Sequence, residues 1–168
     1  MTTEAAGRQT LHLAVALEGA GWHPAAWRLA RLEAVDGYRS AFRSGVDLEQ
    51  PYVSASADVV VAEDDEGARK LAAGYGLWVR SIRSGEGAIR YPTAAEAAGQ
   101  VWTEQDRSLV ADRVSTQFVG SPDTVVAALT NLQQATGADE LAITTMNDDA
   151  DRVRSYALLA EAWGKGEG

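Results

Sequence analysis

Residues 118–163 read FVGSPDTVVAALTNLQQATGADELAITTMNDDADRVRSYALLAEAW and hold a helix, a strand and a second helix in direct succession. Ser121-Pro122 opens the first helix. The serine hydroxyl can accept a free first-turn N–H, and proline at the first helical position gives up an N–H that would have no partner. Gly137 is the matching stop. Between them Val125, Ala128, Leu129 and Leu132 recur at helical spacing. From 140 to 146 the period becomes two, with Leu141, Ile143 and Thr145 set against Ala142, Thr144 and Met146. Val153, Tyr156, Ala157, Ala160 and Trp163 then return to helical spacing behind Asp149 and Asp151, acids that suit a helix N-terminus. Helix, strand and helix in this order predict the closing turn of a layered α/β fold.

The rest of the chain extends the pattern. Residues 11–18 alternate Leu11, Leu13, Val15 and Leu17 with His12, Ala14, Ala16 and Glu18, a strand with one apolar face. A loop of Gly19, Gly21, Trp22 and His23 leads to Pro24, which begins a helix running to about Arg43. Asp36-Gly37 weakens that helix in its middle and marks a place for a break. Residues 52–62 form another strand. Val53, Ala55, Ala57, Val59 and Val61 line one face, and Ser54, Ser56 and Asp58 make the other too polar for a doubly covered parallel strand. Such a face looks into water, a pocket or a barrel mouth. Asp64-Asp65-Glu66 starts a helix carrying Leu71, Tyr75 and Val79 and stopping at Gly85; further helices begin at Thr93 and Thr103. Residues 1–10 are small and polar and are expected to be disordered. One compact α/β domain of three strands follows, with no internal repeat.

Composition narrows the function. The chain has 168 residues, 46% of them hydrophobic, enough for one domain with a sizeable core but short of the roughly 250 residues usual for an eight-stranded α/β barrel. A net charge of −9 without a basic cluster argues against a nucleic-acid partner. The absence of cysteine excludes disulfides, thiolate metal sites and cysteine nucleophiles. No apolar run approaches the roughly 18 residues of a membrane span and no leader opens the sequence, so no membrane partner and a cytoplasmic location are expected.

Motif chemistry is sparse. Gly19-x-Gly21-x-x-Pro24 follows a strand but lacks the third glycine and the ribose-binding acid of a dinucleotide site, and reads as a plain strand-to-helix turn. His12 and His23 do not make a metal pair and no carboxylate cluster completes one, so no metal is expected. His23, in the loop beyond the strand beside Trp22, is the better candidate for proton chemistry. Glu18 and Asp58 are strand carboxylates, a type more often solvated than catalytic. Asp148, Asp149 and Asp151 read as helix-start acids, with no glycine-centred calcium loop around them. Neither a Gly-x-Ser-x-Gly elbow nor a phosphate-binding Gly-Lys loop occurs.

Three motifs carry a family resemblance: VGSPDTV from Val119, TGADELAITT from Thr136 and RVRSYALLAEAW from Arg152. With LHLAVALEGAGWHPAAWR at Leu11 and AEDDEGARKLA at Ala62, they resemble the bacterial-luciferase-like flavin-dependent oxidoreductases, including the nitrilotriacetate- and dibenzothiophene-sulfone-type monooxygenases. The resemblance implies a (β/α)8 barrel from which the central strands are missing, because Arg28 runs almost directly into the C-terminal block. The expected sheet is a partial, TIM-barrel-like arc of three parallel strands in the order 52–62, 140–146, 11–18, with helices packed on one face and the former interior and both edges open. Open edges favour a homodimer or larger homo-oligomer. The family implies reduced FMN, or in some members a deazaflavin, at the C-terminal ends of the strands, a small-molecule substrate oxidised with O2, and a flavin reductase as partner. By the same resemblance Trp22, Thr145 and Met146 line the cofactor site, Glu18 the substrate pocket, and His23 stands as proton donor. Two functions are compatible with this pattern: a flavin-dependent monooxygenase impaired as an isolated chain, and a catalytically silent, internally deleted α/β domain acting as a binding or assembly module.

Overall fold

The computed structural model describes residues 24–46, 48–147 and 149–165. In chain order these form α1 (Pro24–Ala41), β1 (Ser54–Val61), α2 (Asp65–Ala72), α3 (Tyr75–Arg83), α4 (Ala94–Gly99), α5 (Glu104–Val114), β2 (Phe118–Gly120), α6 (Pro122–Thr136), β3 (Glu140–Thr144) and α7 (Asp149–Lys165). The strands make one parallel, open sheet in the order β2-β1-β3.

The helix boundaries follow their capping chemistry. Ser121 Oγ accepts the Thr124 N–H ahead of Pro122, and Gly137 ends α6 in the left-handed conformation at φ 59°. Thr93 and Thr103 each close a reciprocal capping box, with Glu96 and Asp106 respectively. Asp106 also receives Arg80 Nε at 2.6 Å, tying α3 to α5, and these hydrogen bonds hold its carboxyl at about 2. Two expectations are corrected. α1 runs through Asp36-Gly37 unbroken, because one exposed glycine costs less than the turns on either side supply. The helix expected from Asp64 to Gly85 is instead two helices, α2 and α3, divided at Ala73-Gly74. Any Cβ at Gly74 would lie 2.1 Å from the Pro92 carbonyl oxygen, so the loop carrying Pro92 can pack against this junction only where a glycine stands.

β1 pairs with a different neighbour along each half. Residues 54–58 run parallel to β3, with Asp58 opposite Thr144, and residues 59–61 run parallel to β2. The expected adjacency of 52–62 and 140–146 is therefore present. β2 is an addition: its three residues are too few to register as an alternating pattern. The place expected for 140–146 between two strands depended on residues 11–18, which lie outside the described residues, as does the expected disorder of 1–10; among the described residues β3 is an edge. The start of β3 is pinned by Asp139, whose Oδ2 accepts the Val53 N–H at 2.8 Å while its own N–H donates to the Val53 carbonyl at 2.8 Å.

The two faces of the sheet differ as the alternation predicts. Ala57, Val59 and Val61 are buried with Val125, Leu129 and Leu159 under α6 and α7. At the end of β1 the Val61 N–H donates to Ser155 Oγ of α7 at 2.8 Å. On the opposite face Ser54, Ser56, Glu140, Ala142 and Thr144 are exposed, and only Val60 is sealed. A second cluster of Tyr75, Val79 and Val110 joins α3 to α5, with Trp78, Tyr91, Trp102, Leu109 and Met146 against it.

Arg39 fastens α1 to the far end of α6 by donating to the carbonyls of Thr136, at 3.1 Å, and Gly137. A guanidinium there suits the negative end of the helix dipole. A Cβ at position 137 would meet that guanidinium at 2.9 Å as well as the left-handed backbone. Gly137→Ala is therefore expected to lower stability by about 1–2 kcal/mol in urea unfolding; an unchanged midpoint would show that neither constraint is felt.

Candidate functional site

Parallel strands place their ligand-facing residues where they end, since the loops leaving those ends converge there. Beyond β3 the chain reads Thr145-Met146-Asn147. Thr145 is 4% exposed and Asn147 7%, and Thr145 Oγ1, Asn147 Oδ1 and Asn147 Nδ2 have no hydrogen-bond partner among the described residues. Buried polar atoms are paired in the great majority of cases, and leaving one unpaired costs about 1–3 kcal/mol, so three in three residues single this segment out as the candidate site. Met146, between them, packs on the Tyr75, Val79 and Val110 cluster.

Beside this segment Asp58 of β1 joins three elements. One carboxylate oxygen accepts from Tyr75 of α3 at 2.7 Å and the other from Thr144 of β3. Tyr75 is 2% exposed and stacks on Trp78 with ring centroids 6.2 Å apart. Burial, then the hydrogen bond to Asp58 and its negative charge, push the Tyr75 phenol well above its ordinary value of 10.0. The phenol is therefore a fixed donor at neutral pH, and Asp58 links α3 to β3 beside the strand ends.

Of the residues singled out from sequence, Thr145 and Met146 stand together at the end of β3, the first among the unpartnered groups and the second at the edge of the aromatic cluster. Glu18, Trp22 and His23 lie outside the described residues. Asn147 and Tyr75 were not singled out. Asn147 carried a legible signal, a carboxamide three residues beyond the end of β3; Tyr75 read only as part of a helical stripe. Among the described residues no group of three or more His, Asp or Glu side chains is placed to hold a metal ion, and no helix is long and apolar enough to cross a membrane.

No protein-family model matches the chain. Two proteins of Bacillus subtilis (strain 168), both uncharacterised, are similar to it. YvbT is 28% identical over 132 residues, 77% of this chain and 39% of its own length, and YceB is 30% identical over 126 residues, 74% and 38%. The chain thus spans about two fifths of the length of the curated relatives it matches. Among solved structures, apo-MsnO8 superposes with a TM-score of 0.64 at 34% identity, over 84% of this chain and 43% of that one. Two looser matches are monooxygenases. RslO1 from Streptomyces bottropensis has a TM-score of 0.48 at 21% identity, over 84% of this chain and 39% of that one. The oxygenating constituent of 3,6-diketocamphane monooxygenase from Pseudomonas putida, a Type II Baeyer-Villiger monooxygenase in complex with FMN, has a TM-score of 0.44 at 23% identity, over 81% and 44%.

Two outcomes test this geometry. The unfolded chain releases the Tyr75 proton near pH 10 while the folded chain retains it, so this contribution to stability is complete below pH 10 and is lost as the pH rises further. Tyr75→Phe should be less stable than the parent by about 1–3 kcal/mol at neutral pH, with the gap narrowing above pH 10 in urea titrations. Thr145→Val keeps the shape and removes a hydroxyl with nothing to bond, so thermal unfolding should show no loss and a gain of up to about 1 kcal/mol; a loss of that size would mean the hydroxyl is already paired.

Proposed function

We propose that this chain forms one wall of a luciferase-like, flavin-dependent monooxygenase site, oxidising a small organic molecule with O2 once the rest of the wall is in place. The observation that carries the proposal is the unpartnered group of Thr145 and Asn147 at the strand end, on a segment whose sequence resembles that family. A neutral hydroxyl beside a carboxamide, which offers both a donor and an acceptor, fits the alternating N–H and C=O edge of an isoalloxazine ring. Reduced FMN, with a deazaflavin as the other form, would supply the electrons and the activation of O2.

The chain's own part is binding, orientation and exclusion of water. Thr145 and Asn147 would hold the ring edge, Met146 would pack against its apolar side, and Asp58 would keep Tyr75 and Thr144 in place beneath. By resemblance Trp22 extends the cofactor wall, Glu18 faces the substrate and His23 donates the proton. A flavin reductase would deliver reduced cofactor, and a second copy of the chain would cover the open face.

That open face favours a second function. Ser54, Ser56, Glu140, Ala142 and Thr144 are exposed where a closed barrel would bury them, an arrangement that suits a silent module used for binding or assembly. FMN titration followed by flavin fluorescence separates the two. The enzyme proposal expects saturable binding with one FMN per chain, about tenfold weaker in Asn147→Ala, the loss of roughly 1.4 kcal/mol that one buried hydrogen bond represents, and O2 uptake when NADH and a flavin reductase are added. A folded protein that retains no FMN would overturn the enzyme proposal and favour the module.

A further inference from the structure

A groove of about 590 Å³ opens between α2, α3, α5 and β2. Neither Thr145 nor Asn147 lines it; it shares with the flavin proposal only Tyr75 and Val110, which back the Met146 side of that site. Its size lies within the roughly 300–1,000 Å³ of small-molecule sites. Its walls are apolar, built from Ala72, Trp102, Val110 and Val114. The polar groups around it are chiefly donors. Arg69 and Arg107 are exposed members of the lining, and Arg107 has no ion-pair partner among the described residues. Gln117 adds a buried Nε2 with no acceptor. No lining residue is acidic, although the chain carries 24 acidic residues against 15 basic ones and a net charge of −9. A groove that excludes carboxylates from so acidic a protein, while gathering two guanidinium groups and an unsatisfied amide N–H, has the complementarity of an anion attached to an apolar body.

We propose that this groove binds a small apolar carboxylate. The hydrocarbon part lies against Trp102, Val110 and Val114, the carboxylate is held by Arg69 and Arg107, and Gln117 Nε2 donates to an oxygen of the ligand. The ligand occupies the groove without touching Thr145 or Asn147, and it need not be a substrate.

Isothermal titration of the full chain with 2-naphthoate, with 2-naphthalenemethanol as the neutral partner of the same shape, tests the assignment. Saturable binding of one naphthoate per chain is expected, at least tenfold tighter than the alcohol and weakened by added salt. The Arg69→Gln, Arg107→Gln double variant should bring the two affinities together. Ala111→Trp, at an exposed helix position that lines the groove, should abolish binding of both while circular dichroism shows an intact fold. Absence of saturable binding, equal affinity for acid and alcohol in the parent, or naphthoate affinity unchanged in either folded variant would overturn the proposal. FMN binding, measured separately, should be the same in all of these proteins.

Discussion

β1 is the strand on which every other part of the sheet depends. It is eight residues long, its first half pairs with β3, its second half pairs with β2, and its two faces meet different neighbours. A parallel strand needs a crossover to reach its partner, so both neighbours of β1 arrive by helices: α2 to α5 lead to β2, and α6 leads on to β3. The valines of one face then set the depth of α6 and α7, and Asp58 on the other sets the position of α3 through Tyr75. Asp139 against Val53 fixes where the pairing starts, and Ser155 against Val61 fixes where it ends. A slip of β1 by one residue would exchange Val59 for Asp58 beneath α6, an outcome that burial of a carboxylate forbids.

Much of this organisation was legible in the residues. The caps at Ser121-Pro122, Thr93 and Thr103 are local chemistry, settled within four residues, and each appears where the sequence places it. The polar side of 52–62 was legible for the same reason, because period two needs no knowledge of the partner strand. The departures are long-range. The junction of α2 and α3 at Gly74 is packed by the carbonyl of Pro92, eighteen residues later, and no local pattern encodes such an approach. β2 is short enough that only its partner defines it.

The candidate site divides along the same line. Thr145 and Met146 were singled out because the end of a strand can be located from alternation and resemblance. Asn147 and Tyr75 were not, since their significance lies in what is missing around one and in the distant Asp58 beside the other. Absence of a partner is a property of three dimensions, and a linear pattern carries no trace of it.

The two apolar clusters lie on opposite faces of β1. One is knitted into the sheet by strand side chains; the other is an α3–α5 package joined to the sheet through Met146 and the Asp58–Tyr75 hydrogen bond. Its internal ties, Arg80 with Asp106 and Arg83 with Asp112, stay within the package. One cluster is thus bound to the sheet by strand side chains, and the other is joined to it through Met146 and the phenol–carboxylate contact of Tyr75 with Asp58. Amide protons of α3 and α5 should exchange sooner than those of β1, the strand that alone has hydrogen-bonded strand neighbours on both sides among the described residues.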